Sequence, residues 1–111
     1  MNIKLSNRGN TLVATLNGEL DHHTAEYIRQ KLDAEMLKST TQNMVLDFSK
    51  VTFMDSSGIG VVMGRYKNIQ KLNGKMALAG VNDKIKRIFE MSGLMKLISA
   101  YDSIDEAINK M

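Results

Sequence analysis

The segment FMDSSGIGVVMGRY, Phe53 to Tyr66, places an acid, two hydroxyls and three glycines where an apolar strand pattern passes into a helical one. Three chemistries suit such a cluster: a glycine loop for a cofactor phosphate, a nucleophilic serine, or a serine that is itself modified. The glycines fit the first poorly. Gly58, Gly60 and Gly64 read GxGxxxG, whereas a dinucleotide loop needs GxGxxG and an acid about 20 residues further on, at the end of a second strand. Asp83 is the acid in range, but it follows Gly80 and reads as a helix cap. The GxxxxGKS or GxxxxGKT pattern of a phosphate loop does not occur. No resident cofactor is expected. The glycines read better as geometry: Gly58 permits the tight turn, while Gly60 and Gly64, four apart on a helix, let it lie close to the sheet.

A nucleophilic serine needs a base within hydrogen-bond reach, and His22 and His23 are the only histidines. The GxSxG elbow is missing, since Met54 and Asp55 precede Ser56. The same histidines, adjacent and without a third ligand, signal a metal only weakly. A Ser-His hydrolase with His22 or His23 beside Ser56 stays as the lesser alternative; neither catalytic residues nor a metal site is expected. The third chemistry fits the cluster more closely. Asp and Ser are preferred N-caps, each worth about 1 kcal/mol, yet a cap needs one such residue and Asp55, Ser56 and Ser57 stand in a row. A helix N-terminus carries roughly half a positive charge and free N–H groups. A phosphate is tolerated there without loss of the fold.

The elements that must position this cluster follow from hydrophobic period. NIKLSNRGNTLVATLNGEL alternates apolar and polar residues around Asn7-Arg8-Gly9-Asn10, which predicts a hairpin with Ile3, Leu5, Leu12, Ala14 and Leu16 facing inward. HTAEYIRQKLDAEMLKS repeats apolar residues at Ala25, Ile28, Leu32 and Met36, a helical spacing. NMVLDFS is a short strand; from Ser56 onward Ile59, Val62, Met63, Tyr66 and Ile69 mark a second helix. KMALAG is a further strand, followed by a helix carrying Ile85, Ile88 and Phe89 that stops at Gly93, with Leu94 beyond the cap. KLISA reads as a last strand and SIDEAINKM as a last helix, opened by the capping box of Ser103 and Glu106. The order ββαβαβαβα predicts an α/β fold: a mixed, mostly parallel sheet of about four to five strands with about four helices and an antiparallel portion at one side.

With 111 residues and no Pro, repeat or low-complexity run, residues 1–111 form one domain by expectation. Absence of Cys excludes disulfides and thiolate sites. The net charge is +3 with a pI near 9.2, but the basic residues are interleaved with acids except in KIKR, Lys84 to Arg87, and aromatics are few. A solvated helix face explains KIKR better than nucleic acid does. The nine methionines read as core filler. No segment approaches the ~20 apolar residues that span a bilayer, and MNIKLSNRGN lacks the apolar stretch of a signal peptide. A cytoplasmic protein with no membrane or nucleic-acid partner is expected.

GELDHHTAE (Gly18 to Glu26), FMDSSGIGVVMGRYK (Phe53 to Lys67) and RIFEMSGL (Arg87 to Leu94) together resemble the anti-sigma factor antagonists of the STAS domain class, in order and spacing over nearly the whole chain. The LDHHTAE segment resembles the sporulation branch more than the general-stress branch. The resemblance implies a binding protein rather than an enzyme. It implies that the unphosphorylated form docks on an anti-sigma factor that is also a serine kinase and frees the sigma factor. ATP and magnesium belong to that kinase; phosphorylation releases the antagonist, and a serine phosphatase restores it. Carried over by position, Ser56 is the phosphorylated residue, Asp55 precedes it, and Asp21 lies in the loop beside the site. Asp21, Asp55, Ser56, Ser57 and Gly58 are the implied partner-binding residues, with Ser57 also a helix cap or first-turn residue.

Overall fold

The computed structural model describes residues 1–38 and 40–111. Strand β1 (Asn2–Arg8) pairs antiparallel with β2 (Thr11–Leu20), as period-2 alternation requires. The hairpin turn is tighter than the sequence suggests: Arg8 still pairs with Thr11, which leaves only Gly9 and Asn10, and Gly9 takes the left-handed φ of 62°. Helix α1 (Ala25–Lys38), strand β3 (Asn43–Met54), helix α2 (Ser57–Lys71) and strand β4 (Met76–Ala79) follow. Helix α3 (Asp83–Met91), a 3-10 turn (Leu94–Lys96), strand β5 (Ser99–Tyr101) and helix α4 (Ile104–Lys110) complete the chain. The expected run KLISA is thus half turn and half strand, and Ser39, the end of the expected first helix, lies outside the described residues.

The sheet order is β1-β2-β3-β4-β5, with every pair after the first hairpin parallel. Each crossover adds its strand on the same side, so right-handed connections set α1, α2 and α3 on one face. Alternation sorts the core accordingly. Leu12, Ala14, Leu16, Met44, Leu46, Phe48, Met76 and Leu78 pack with Ile28, Leu32, Val61, Val62, Ile69, Ile85 and Phe89. Their neighbours Val13, Val45, Ala77 and Ala79 point the other way, under Ala107, Ile104 and Ile108 of α4. Among the described residues the fold is α/β, a five-stranded mixed sheet with four helices, as expected.

Two departures bear on the site. The third strand runs five residues beyond NMVLDFS, to Met54, because Val51 and Met54 are buried and the pairing with β2 continues through two register shifts, ending at Leu20 opposite Met54. Asp47 holds the irregular region: its carboxylate accepts from the Ser49 amide (3.0 Å), the Ser49 hydroxyl (3.1 Å) and Thr15 (3.2 Å). The longer strand brings the DSSG loop level with the end of β2.

The glycines of α2 are the second departure. Gly58 is buried and helical rather than part of a left-handed turn; a Cβ there would sit 2.4 Å from Met54 Sδ and 3.2 Å from Leu20. Gly60 and Gly64 do not lie against the sheet, since a Cβ on either meets nothing within 4 Å. Mid-helix glycine costs about 1 kcal/mol against alanine, and only Gly58 has an internal reason for it.

The other local readings need small changes. Asn82, not Asp83, caps α3, accepting from the Ile85 amide at 2.9 Å. Gly93 ends that segment at φ 82°, with Leu94 buried beyond it. Ser103 caps α4 by accepting from the Glu106 amide. Lys84, Lys86 and Arg87 are exposed while Ile85 is buried, a solvated face. Met44, Met54 and Met76 fill the core, and Met91 alone of the methionines is largely exposed, at 83%. Among the described residues no helix is long and apolar enough to cross a membrane.

Candidate functional site

Two loops meet where β2 and β3 end. The first, Asp21 to Thr24, is shaped by its own side chains. Asp21 Oδ1 accepts from the amides of His23 (2.9 Å) and Thr24 (3.1 Å), while the Asp21 amide donates to Thr24 Oγ1 (3.0 Å) and that hydroxyl donates to the Glu19 carbonyl (2.9 Å). Asp21 thus serves as the capping residue of α1, its carbonyl accepting from the Ala25 amide.

The second loop is Asp55-Ser56, and Asp55 ties the two together. Its Oδ1 accepts from the Ser57 amide at 2.8 Å, its Oδ2 from the His22 amide at 3.1 Å, and its own amide donates to the Leu20 carbonyl at 3.2 Å. The Ser57 amide bond is the main reason the Asp55 carboxyl is held below the usual carboxylate range; partial desolvation opposes it, and the Ser57 hydroxyl and His22 amide add to it. Asp55 therefore does the capping that the sequence offered to three residues at once.

That leaves the serines in different positions. Ser57 is the first helical residue, half-buried, its amide committed to Asp55. Ser56 is exposed, in helical conformation (φ −63°, ψ −17°), and its side chain makes no capping bond. The free hydroxyl of the pair belongs to Ser56. Asp21, Asp55, Ser56 and Ser57 are brought together, while Gly58 lies beneath them, buried against Met54.

The alternatives fare less well. The hydrogen bond from His22 to the site comes from its backbone amide, and the two imidazoles pack edge to face with each other, 5.7 Å between centroids. No imidazole–serine hydrogen bond forms among the described residues, and no group of three metal-ligating side chains occurs among them. Beside the loops runs a groove of about 250 Å³ between α1 and α2, lined by His22, Ala25, Glu26, Arg29, Ser57, Gly60 and Val61.

The STAS domain family profile matches residues 2–107. The chain belongs to the STAS domain family. It is 37% identical over 111 residues to an anti-sigma F factor antagonist of Paenibacillus polymyxa, covering 100% of this chain and 95% of that protein. Among solved structures it resembles the anti-sigma factor antagonist SpoIIAA in its unphosphorylated form, with 29% identity, TM-score 0.78, and 98% and 96% of the two chains covered. It resembles equally the phosphorylated form of SpoIIAA, a Bacillus cell fate determinant, with 31% identity, TM-score 0.77 and 98% of each chain covered. These relatives are named for antagonism of another protein, a binding role rather than a catalytic one.

Sequence reasoning passed over one group in this STAS domain. Arg65 of α2 is 6% exposed, its Nε 2.9 Å from Asp33 Oδ1 of α1 in an ion pair without hydrogen-bond geometry. Both Nε and Nη1 are buried without a hydrogen-bond partner among the described residues. Burial pushes the guanidinium below the usual arginine range, opposed by Asp33. The signal was present: Arg65 stands four residues after Val61 and four before Ile69, on the apolar stripe.

Proposed function

We propose that this chain is an anti-sigma factor antagonist switched by phosphorylation of Ser56. Unphosphorylated, it binds an anti-sigma factor that is itself a serine kinase, and so frees the sigma factor. The kinase, with its own ATP and magnesium, transfers a phosphoryl group to Ser56 Oγ; the phosphorylated antagonist leaves, and a serine phosphatase restores it. Asp21, Asp55, Ser56 and Ser57 form the centre of the docking surface in this reading.

The observation that carries the reading is the exposed, uncommitted Ser56 hydroxyl at the N-terminus of a 15-residue helix, beside a capping aspartate. The relative named as an anti-sigma F factor antagonist and the two forms of SpoIIAA support it. The helix end tolerates the product. A phosphate adds about −1.5 to −2 charges next to the Asp55 carboxylate, itself bonded to the loop that holds Asp21. Like charges set against a partner cost several kcal/mol, and each 1.4 kcal/mol is tenfold in affinity. A local change in charge is enough to release the partner.

The test is incubation of the purified chain with the anti-sigma factor kinase and magnesium-ATP, followed by mass spectrometry and size-exclusion chromatography. One phosphate per chain on Ser56 with loss of the complex is expected. Phosphate on Ser57 alone would move the site; none at all would refute the switch.

A further inference from the structure

We infer that the seam between α1 and α2 is a docking groove for a carboxylate-bearing segment of the anti-sigma factor, with Gly60 and Gly64 as its open wall and Arg65 as its charged anchor. This deepens the proposed function and rests on it.

Two independent observations meet here. The first is the pair of glycines. Helix interiors disfavour glycine, and nothing inside the molecule returns that cost at Gly60 or Gly64, because a side chain on either would meet open space. Gly58, two residues before Gly60, shows what an internal reason looks like, with Met54 and Leu20 in the way of any Cβ. The reason for the other two lies outside the chain. A glycine pair on the exposed side of a helix lets a second backbone approach closely.

The second observation is Arg65, next to Gly64. Its guanidinium lies in the α1–α2 seam beside Asp33, and the charges of Glu26 and Arg29 also act on it. Arg29 is already paired with Glu26, and Asp33 is shared with the Asn68 amide at 3.3 Å. Among the described residues Nη1 is left buried and unbonded, a state that buried polar groups rarely keep. An acceptor arriving from outside would satisfy it. A carboxylate suits the site because both counter-charges of the buried cation are shared, Asp33 with Asn68 and Glu26 with Arg29.

The groove is continuous with the site. Gly60 lines the concavity that Ser57 and His22 also line, and Asp33 lines a second one of about 400 Å³ further along the same seam, with Met36, Leu37 and Leu72. A partner centred on Ser56 that extends along the seam passes Gly60 and reaches the Asp33–Arg65 pair where the second concavity opens at Asp33. Arg65 so placed sets which partner fits, not whether Ser56 can react.

The experiment is calorimetric titration of the full chain with the purified anti-sigma factor in ADP, which prevents phosphoryl transfer, alongside thermal melts. Gly60→Ala and Gly64→Ala are expected to melt several degrees above wild type and to bind roughly tenfold or more weakly, the loss typical of a central interface position. Arg65→Met fills the same space without the orphan donor; it is expected to melt no lower than wild type, to bind at least as weakly as the glycine variants, and to lose part of the salt dependence. Wild-type affinity in all three variants overturns the groove, as does a lowered melting point for the alanine variants, which would place the glycines' role inside the fold. If wild type itself neither binds nor acquires phosphate, the antagonist reading falls and the groove with it. Tight wild-type binding with unaffected variants removes the groove alone.

Discussion

Ser56 and Ser57 are neighbours with opposite duties, and the difference comes from one carboxylate. Asp55 accepts from the Ser57 amide and so makes Ser57 part of the helix, which leaves Ser56 exposed and unbonded at its side chain. Ser56→Ala should therefore bind the anti-sigma kinase within about threefold of wild type and incorporate no phosphate, whereas Ser56→Asp should bind at least tenfold more weakly; radiolabel transfer and titration check both. Asp55 also gives the site a pH dependence with a definite sign. Its folded carboxyl titrates below the reference value of 3.8, so near that pH the unfolded chain holds more of the proton than the folded one. The contribution is present above pH 3.8 and is lost as pH falls through the lower, folded value. The Ser57 amide resonance should report a titration midpoint below 3.8, and Asp55→Asn should abolish it; a midpoint at or above 3.8 contradicts the bonding described. At this scale the sequence disclosed the cluster but not the division of labour, since three adjacent cap-forming residues are equivalent until a helix start is fixed. Arg65 stayed hidden for another reason. A single charged residue on an apolar stripe reads as a boundary residue, and only the packing of α1 on α2 buries it.

Among the elements, α2 and β3 carry the site, and each was legible in part. The period of Ile59, Val62, Tyr66 and Ile69 reveals α2 because an apolar face is a local property of the chain. The length of β3 is not local: Ser49 and Lys50 are exposed and polar, and the strand continues past them only because β2 is there to pair with, through two register shifts. Glycine roles were misread for the same cause, since what surrounds a missing Cβ is a tertiary fact. Gly58 makes this measurable. Alanine there gains about 1 kcal/mol of helix propensity but forces Met54 aside, and overpacking costs about 1–3 kcal/mol. Gly58→Ala should lose roughly 1 kcal/mol net, a fall of about 4 °C in Tm for a domain of this size. A rise on calorimetric melting would mean that Met54 has room to move. Asn82→Ala, which deletes the cap on Ile85, should cost about 1 kcal/mol, and Asp83→Ala much less, the reverse of the sequence expectation.

At the scale of the whole molecule, the same sheet both builds the core and fixes the loops. Phe48 of β3 and Phe89 of α3, fully buried, pack edge to face at 5.5 Å, and the α1, α2 and α3 face of the sheet is closed around them. The Asp21–Thr24 and Asp55–Ser56 loops hang from adjacent parallel strands joined at Leu20 and Met54, so they cannot shift apart without breaking that ladder. The proposed Ser56 switch is therefore expected to act through charge rather than through repacking. The prediction is specific. Phosphorylation of Ser56 should move amide resonances of residues 20–24 and 54–61, which the Asp55 bonds connect, and should leave those of β4, β5 and α4 within measurement error. Melting temperature should change by about 4 °C or less, equivalent to roughly 1 kcal/mol, because the added charge is met by the helix N-terminus on one side and opposed by Asp55 on the other. Affinity for the kinase should fall by a hundredfold or more, about 2.7 kcal/mol, with most of that loss recovered in high salt for an exposed charge. Shifts spread across the far strands, or a loss of affinity indifferent to salt, would require a conformational change that the pairing of β2 and β3 resists.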